Sequence, residues 1–294
     1  MISRIRYYKP FSMKKIILTF FLNCFYLAVF AQNGIPQNAG ARGAAMGNAS
    51  LTFTDINSIF TNQAGLGYLE HLSFTAYGER RFLVADGLNS FLFGVAYPHK
   101  SIGTIGLSVH YFGYGKYNEQ KIGLSYARKL FKRMSIGAQF NYLGTRIGEY
   151  GTAHSFTFEL GILAKVSKQF HIAAHTFSPV QVQLPNGDVL PSLFKLGVAY
   201  LPSNQLRLTA EIEKDLDNPF NGRFGIEYHP IHILYIRAGV STTPVMASFG
   251  LGLNMRGLKI DIATSYHTIL GVTPSLSVSY IVGEKAISKT PEAH

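Results

Sequence analysis

The chain has 294 residues and a formal net charge of +11, with 47% hydrophobic but only 15% charged residues. No apolar run after residue 31 is long enough to cross a bilayer as a helix, which excludes a helical membrane protein. The lone cysteine, Cys24, excludes a disulfide framework or a cysteine-based metal site, and no basic run interleaved with aromatics marks a nucleic-acid surface.

Residues 1–31 read as a secretory signal. Met13-Lys14-Lys15 supplies a charged start, Ile16-Ile17-Leu18-Thr19-Phe20-Phe21-Leu22 an apolar middle, and Ala31 a small residue before the expected cut at Gln32. The apolar run is short for an anchor and lacks a stop-transfer flank. Cleavage as a lipoprotein at Cys24 is disfavoured, because Phe21-Leu22-Asn23 lacks the small residues such a site uses. Five of the 27 Lys and Arg lie in this stretch and no acids do, so 22 basic against 16 acidic residues leave +6 beyond it.

Residues 32–70 are rich in small side chains, from Gly40-Ala41-Arg42-Gly43-Ala44-Ala45-Met46-Gly47-Asn48-Ala49 to Asn62-Gln63-Ala64-Gly65-Leu66. Asp55 is placed to cap a short helix and Gly65 to end it. Such a segment fits inside a barrel lumen, as a plug against inward Gly and Ser.

From 71 to 282 the hydrophobicity alternates with period two. Phe156, Phe158, Leu160 and Ile162 oppose Ser155, Thr157, Glu159 and Gly161; Leu206, Leu208, Ala210 and Ile212 oppose Arg207, Thr209, Glu211 and Glu213. Successive side chains of a strand point to opposite faces, so each segment has a greasy and a polar face. Fourteen such segments are predicted, near 71–79, 89–97, 103–111, 119–129, 133–143, 154–165, 169–177, 191–201, 205–213, 221–228, 233–240, 245–254, 257–266 and 273–281. That even number suits an all-β, antiparallel transmembrane barrel.

Even-numbered connections are expected to be tight, around 130–132, 166–168, 202–204, 229–232 and 255–257. Odd-numbered ones are expected to be longer, around 80–88, 112–118, 144–152, 178–190 and 214–220. This is the turn-and-loop asymmetry of an outer-membrane barrel. A secreted β-sandwich also alternates, but its polar face would carry more Lys, Glu and Thr than the Gly, Ser and Ala found here. Tyr97, Tyr111, Tyr126, Tyr142, Tyr200, Tyr228, Tyr266 and Tyr280 fall toward strand ends, where a membrane interface favours them. Asn186-Gly187 predicts a tight hairpin at the tip of the longest loop, and residues 283–294 form a periplasmic tail.

The plug segment resembles the N-terminal signature of FadL-like barrels, and most closely the PorV/PorQ group of Bacteroidetes. The matching residues are Gly40, Arg42, Met46, Gly47, Asp55, Asn62 and Gly65, while Gln63 stands where that family usually has proline and is expected to loosen the turn. The resemblance implies a fourteen-stranded barrel with an N-terminal hatch in the outer membrane. PorV- and PorQ-like members act in type IX secretion as non-enzymatic docking or shuttle proteins with a protein partner; FadL-like members pass hydrophobic small molecules. The signature is common to both branches. Short loops and a polar lumen favour the docking role, with the channel as the alternative.

Inward charges are expected at Glu159, Lys195, Arg207, Glu211, Arg223, Glu227, Arg237, Lys259 and Asp261. They could act as a gating or selectivity network, but unpaired buried charge is costly, so mutual pairing and pairing with the plug is the simpler expectation. Arg42 is expected to meet Glu211, Glu227 or Asp261. His171 and His175 share a strand face and His229 and His232 flank a turn, without the further ligands a metal would need. No nucleophile, base and orienter are placed together, so neither an enzyme nor a cofactor is expected; the partners are outer-membrane lipid and a protein.

Overall fold

The computed structural model describes residues 39–83, 88–148, 151–180, 190–215 and 219–283. The expected signal, the Asn186-Gly187 hairpin tip and the tail beyond residue 283 lie outside them. Alternation of burial along each strand builds the wall, because a strand that turns one face to a crowded lumen and the other to lipid needs period two. In the strand Gly151–Lys165, Glu159 is fully buried while its neighbours Phe158 and Leu160 are 39% and 47% exposed.

The strands are β1 (Ser73–Arg80), β2 (Asn89–His99), β3 (Gly103–Tyr114), β4 (Tyr117–Phe131), β5 (Met134–Ile147), β6 (Gly151–Lys165) and β7 (Phe170–Phe177). They continue as β8 (Leu193–Tyr200), β9 (Leu206–Asp215), β10 (Asn221–Ile231), β11 (Leu234–Thr242), β12 (Val245–Met255), β13 (Leu258–His267) and β14 (Gly271–Ile281). Each pairs antiparallel with its sequence neighbours, and β1 pairs with β14 from Ser73↔Ile281 to Glu79↔Ser275, closing a fourteen-stranded barrel. All fourteen predicted segments are strands.

The tyrosines form two tiers on the outer face. Tyr97, Tyr126, Tyr200, Tyr228 and Tyr280 lie toward the end where the barrel begins and finishes; Tyr111, Tyr142 and Tyr266 lie toward the other. Their rings are polar at one edge and apolar elsewhere, which suits the two borders of an apolar slab.

The expected rhythm of long and short connections holds only in part. Residues 112–118 and 144–152 are not loops: β3 and β4 pair up to Tyr114↔Tyr117, and β5 and β6 up to Ile147↔Gly151. Pairing there runs on through the positions expected as loop, so the hairpins stay strand and close in tight turns. The connections after β11 and β13 are equally short. The odd-numbered end keeps its longest connection between β7 and β8.

Residues 39–70 run inside the barrel. Helix α1 (Gly40–Ala45) is followed by 3-10 helices over Ile56–Phe60 and Gln63–Tyr68. Asp55 caps the first of these, its carboxylate accepting from Asn57 N at 3.0 Å, as its position implied. Gly65 ends neither: it lies within the second 3-10 helix, where a Cβ would collide with the Phe53 carbonyl and Ser58. Close approach, rather than helix termination, is what this glycine provides.

Candidate functional site: the plugged lumen

The segment fits because the wall is pared down where the two meet. A Cβ at Gly137 would strike Gln63 and Ala64, one at Gly239 the backbone of Met46 and Gly47, one at Gly250 Ala45, and one at Gly161 Asn62. Gly225 meets Met46 and Gly197 meets Leu51 in the same way. Inward glycines from six strands thus form a belt at the level of the segment. Ile59, Phe60, Leu66 and Ala41 complete its apolar core, with Tyr77, Leu92 and Ala263 of the wall.

Polar contacts fix its rotation. Arg42 forks onto Glu227, with Nη2–Oε1 at 2.6 Å and Nε–Oε2 at 2.8 Å, and also pairs with Asp55. Arg237 joins Glu227 to Asp261, both at 2.6 Å. Of the three carboxylates expected for Arg42, the structure selects Glu227. Glu211 instead accepts from Ser50 N and Leu51 N, each at 3.1 Å, and pairs with Arg223. The Arg42 guanidinium lies 4.1 Å from the centre of the Phe53 ring. Burial pushes the Asp55 carboxyl up, but Arg42 and then Lys259 outweigh it and hold the group below the usual carboxylate range.

A second cluster lies on the opposite wall. Glu159 accepts from Lys121 Nζ at 3.0 Å, Asn141 Nδ2 at 2.9 Å and Gln63 Nε2 at 2.9 Å, with His175 Nε2 at 3.2 Å. Gln63 therefore tightens the structure at the position where loosening was expected: its amide bridges Glu159 and the Ile59 carbonyl, which proline could not do. Asn62 caps the second 3-10 helix through Ala64 N and donates to Leu51 O. Lys195 and Arg223 share Glu213 at 2.8 and 2.6 Å.

Lys121 and Glu213 were missing from the expected set, although their inward parity is plain beside outward Ile122 and Ile212. Of the expected charges, Lys259 and Arg207 form no ion pair among the described residues; Arg207 is held by the plug backbone instead. Its Nη2 donates to Thr52 O at 2.7 Å, and its buried Nε meets no partner among the described residues. His171 lies inward beside Lys165, and the His229 ring rests 5.1 Å from Tyr235.

Beneath the segment, toward the chain-end side, a cavity of about 560 Å³ opens between Arg42, Asp55, Tyr68, Arg207, Lys259 and Asp261. Above the segment the described pairing of β6 with β7 stops short. β6 pairs with β7 only from Glu159↔Phe177 to Lys165↔His171, so residues 151–158 have no described strand on that side. Ser178 N donates to Phe158 O there, and Leu190 reaches inward to Leu143 and Phe177. Lower down, on the outer face of β6 to β10 at the level of Gly161 and Gly197, are two adjoining apolar hollows of about 570 and 540 Å³, which share Ile162, Ala174, Leu196 and Ile212.

The chain superposes on the Pseudomonas putida toluene transporter TodX with a TM-score of 0.67 and 12% identity, over 83% of this chain and 99% of that one. The fold is that of an outer-membrane barrel. A Pseudomonas aeruginosa FadL homologue gives 0.63 and 14% identity, over 85% of this chain and 100% of that one. No protein-family model and no curated protein matches the sequence. The barrel resemblance drawn from the plug residues is therefore met at the level of fold. The PorV/PorQ assignment has no match beside it.

Proposed function

We propose that this outer-membrane barrel admits a small hydrophobic molecule from outside and releases it sideways, into the bilayer, above the plug. The observation that carries this reading is the stretch 151–158 of β6, which pairs with β5 but, among the described residues, with no strand on the β7 side, and which is flanked inside by Leu143, Phe177 and Leu190. An apolar solute gains by leaving water for such surfaces and loses by crossing a charged plug. TodX is a toluene transporter, and the likeness of the two barrels supports the same class of solute here.

The docking role in type IX secretion is the weaker reading. Its support is the signature resemblance, and Gly40, Met46, Gly47, Asn62 and Gly65 pack inside the barrel rather than facing a partner. Entry of the fluorescent apolar probe N-phenyl-1-naphthylamine into cells tests the channel reading. Deleting the protein should slow entry, the unaltered chain should restore it, and a Leu143→Lys/Leu190→Lys variant should not. Unchanged entry on deletion, alongside recovery of a secretion component from outer membranes, would reverse the order of the two readings.

A further inference from the structure

The end of the barrel where β1 begins and β14 finishes carries charge of one sign on one side. The hairpin tips of β4–β5 and β6–β7 lie together there: Lys165 N donates to Arg133 O at 2.7 Å, and Arg133 Nη1 to Val166 O at 3.2 Å. They bring Arg128, Lys129, Lys132, Arg133, Lys165 and Lys168 to one arc of the rim, all exposed except half-buried Lys165. None of the six pairs with a described carboxylate. The short turns at this end contain no described acid, and Glu70, just before β1, is the one described carboxylate on the rim outside the lumen. At the other end cations stand among acids, as where Arg81 pairs with Glu79.

The same tips expose apolar side chains. Phe131 is 70% exposed and Val166 54%, beside Leu130 and Phe170. Phe170 stacks on Tyr200 with ring centres 4.6 Å apart, in the lower tyrosine tier. Lys129 and Lys165 turn to the lumen mouth, over the Tyr68 ring at 5.0 and 4.0 Å; Arg128, Lys132, Arg133 and Lys168 lie just beyond the border of the apolar slab, at the depth of headgroups, with greasy side chains beside them reaching the acyl region. A soluble acidic partner would meet the cations but would leave Leu130 and Phe170, on the lipid side of the wall, without a role.

We propose that this arc is a docking surface for anionic glycerophospholipid headgroups of the periplasmic leaflet. Phosphodiester oxygens accept charge-assisted hydrogen bonds from Arg and Lys, and a single-sign field at a low-dielectric border concentrates anions. The proposal rests on the outer-membrane orientation and not on the transport reading, and it is measured without transport.

The full chain, refolded in detergent, is titrated with phosphatidylglycerol and with phosphatidylcholine of identical acyl chains, and bound lipids are counted by native mass spectrometry. The unaltered protein should prefer phosphatidylglycerol. Lys132→Gln/Arg133→Gln/Lys168→Gln should cut that preference by roughly a hundred-fold, at about five-fold per charge near a membrane surface. Lys116→Gln/Arg146→Gln at the other end should leave it unchanged. Because the triple variant could misfold, the unaltered chain is also titrated at 1 M salt, where screening to about 3 Å should abolish the preference. Equal retention of both lipids, a preference that survives high salt, or a folded triple variant that keeps it overturns the proposal. Tighter binding of polyglutamate than of phosphatidylglycerol vesicles would assign the arc to an acidic protein instead.

Discussion

Replacing Arg42 by methionine keeps most of the side-chain volume and removes the charge that ties the plug to the wall. Glu227 loses two hydrogen bonds, at 2.6 and 2.8 Å, but keeps Arg237 Nε at 2.6 Å. Asp55 loses its ion pair and keeps the capping bond from Asn57 N and the longer-range attraction of Lys259. Removing one partner of a buried pair costs about 3–5 kcal/mol. Here the Arg42 side chain is 14% exposed toward the lower cavity and Glu227 retains a second guanidinium, so roughly 2–3 kcal/mol is expected. Urea unfolding of the barrel in lipid vesicles, followed by the heat-modifiable gel shift, measures it. A double-mutant cycle with Glu227→Gln should show coupling of about 1–2 kcal/mol. A loss under about 0.5 kcal/mol, or strict additivity, would mean that the plug is held by packing alone.

Glu159→Gln leaves Lys121 without its carboxylate in the interior and should cost about 3 kcal/mol, with Lys121→Met/Glu159→Gln regaining most of it in the same unfolding assay. Gln63→Pro gives up the bridge to Glu159, but proline suits the first position of a helix; the net change should stay within about 1 kcal/mol, and a larger loss would show the amide to be indispensable. Acid should loosen the plug through Asp55. Its pKa is depressed in the folded protein, so its stabilisation is complete above the unfolded value of about 4 and is lost as pH falls through the folded value. Limited proteolysis of residues 39–70 along a pH series should show this, and Asp55→Asn should weaken the step.

The strands were legible because one physical constraint, a polar lumen inside an apolar slab, acts on every second residue. Their ends were less so. Strand pairing continues through Tyr114, Tyr117 and Ile147, and sequence alone does not separate a long hairpin from a loop. Parity placed Glu227, Arg237 and Asp261 inward, and Arg42 was seen to need one carboxylate. Choosing among three required the register of β9, β10 and β13 together with the rotation of the plug. The Gln63–Glu159 contact depends on that same rotation, so a residue that looked like a departure from a family pattern proved to be a wall contact. Lys121 could have been found from its neighbours Ile122 and Leu124, which mark its face without reference to any partner.

The ion pairs place the plug and the path for a solute in competition. Travel along the axis would break Arg42–Glu227 on one side and Gln63–Glu159 on the other, whereas travel through the wall above the plug breaks neither. A cross-link decides between them. Ala41 N donates to Ser277 Oγ at 3.3 Å, so residues 41 and 277 are in contact, and Ala41→Cys/Ser277→Cys adds two thiols there to a chain whose one native cysteine is Cys24. Oxidation would fix the plug to β14 while leaving residues 151–158 and Leu190 untouched. If the solute leaves sideways, entry of N-phenyl-1-naphthylamine should be the same in oxidised and reduced cells. If oxidation stops entry and reductant restores it, the plug must move, and the lateral route is wrong.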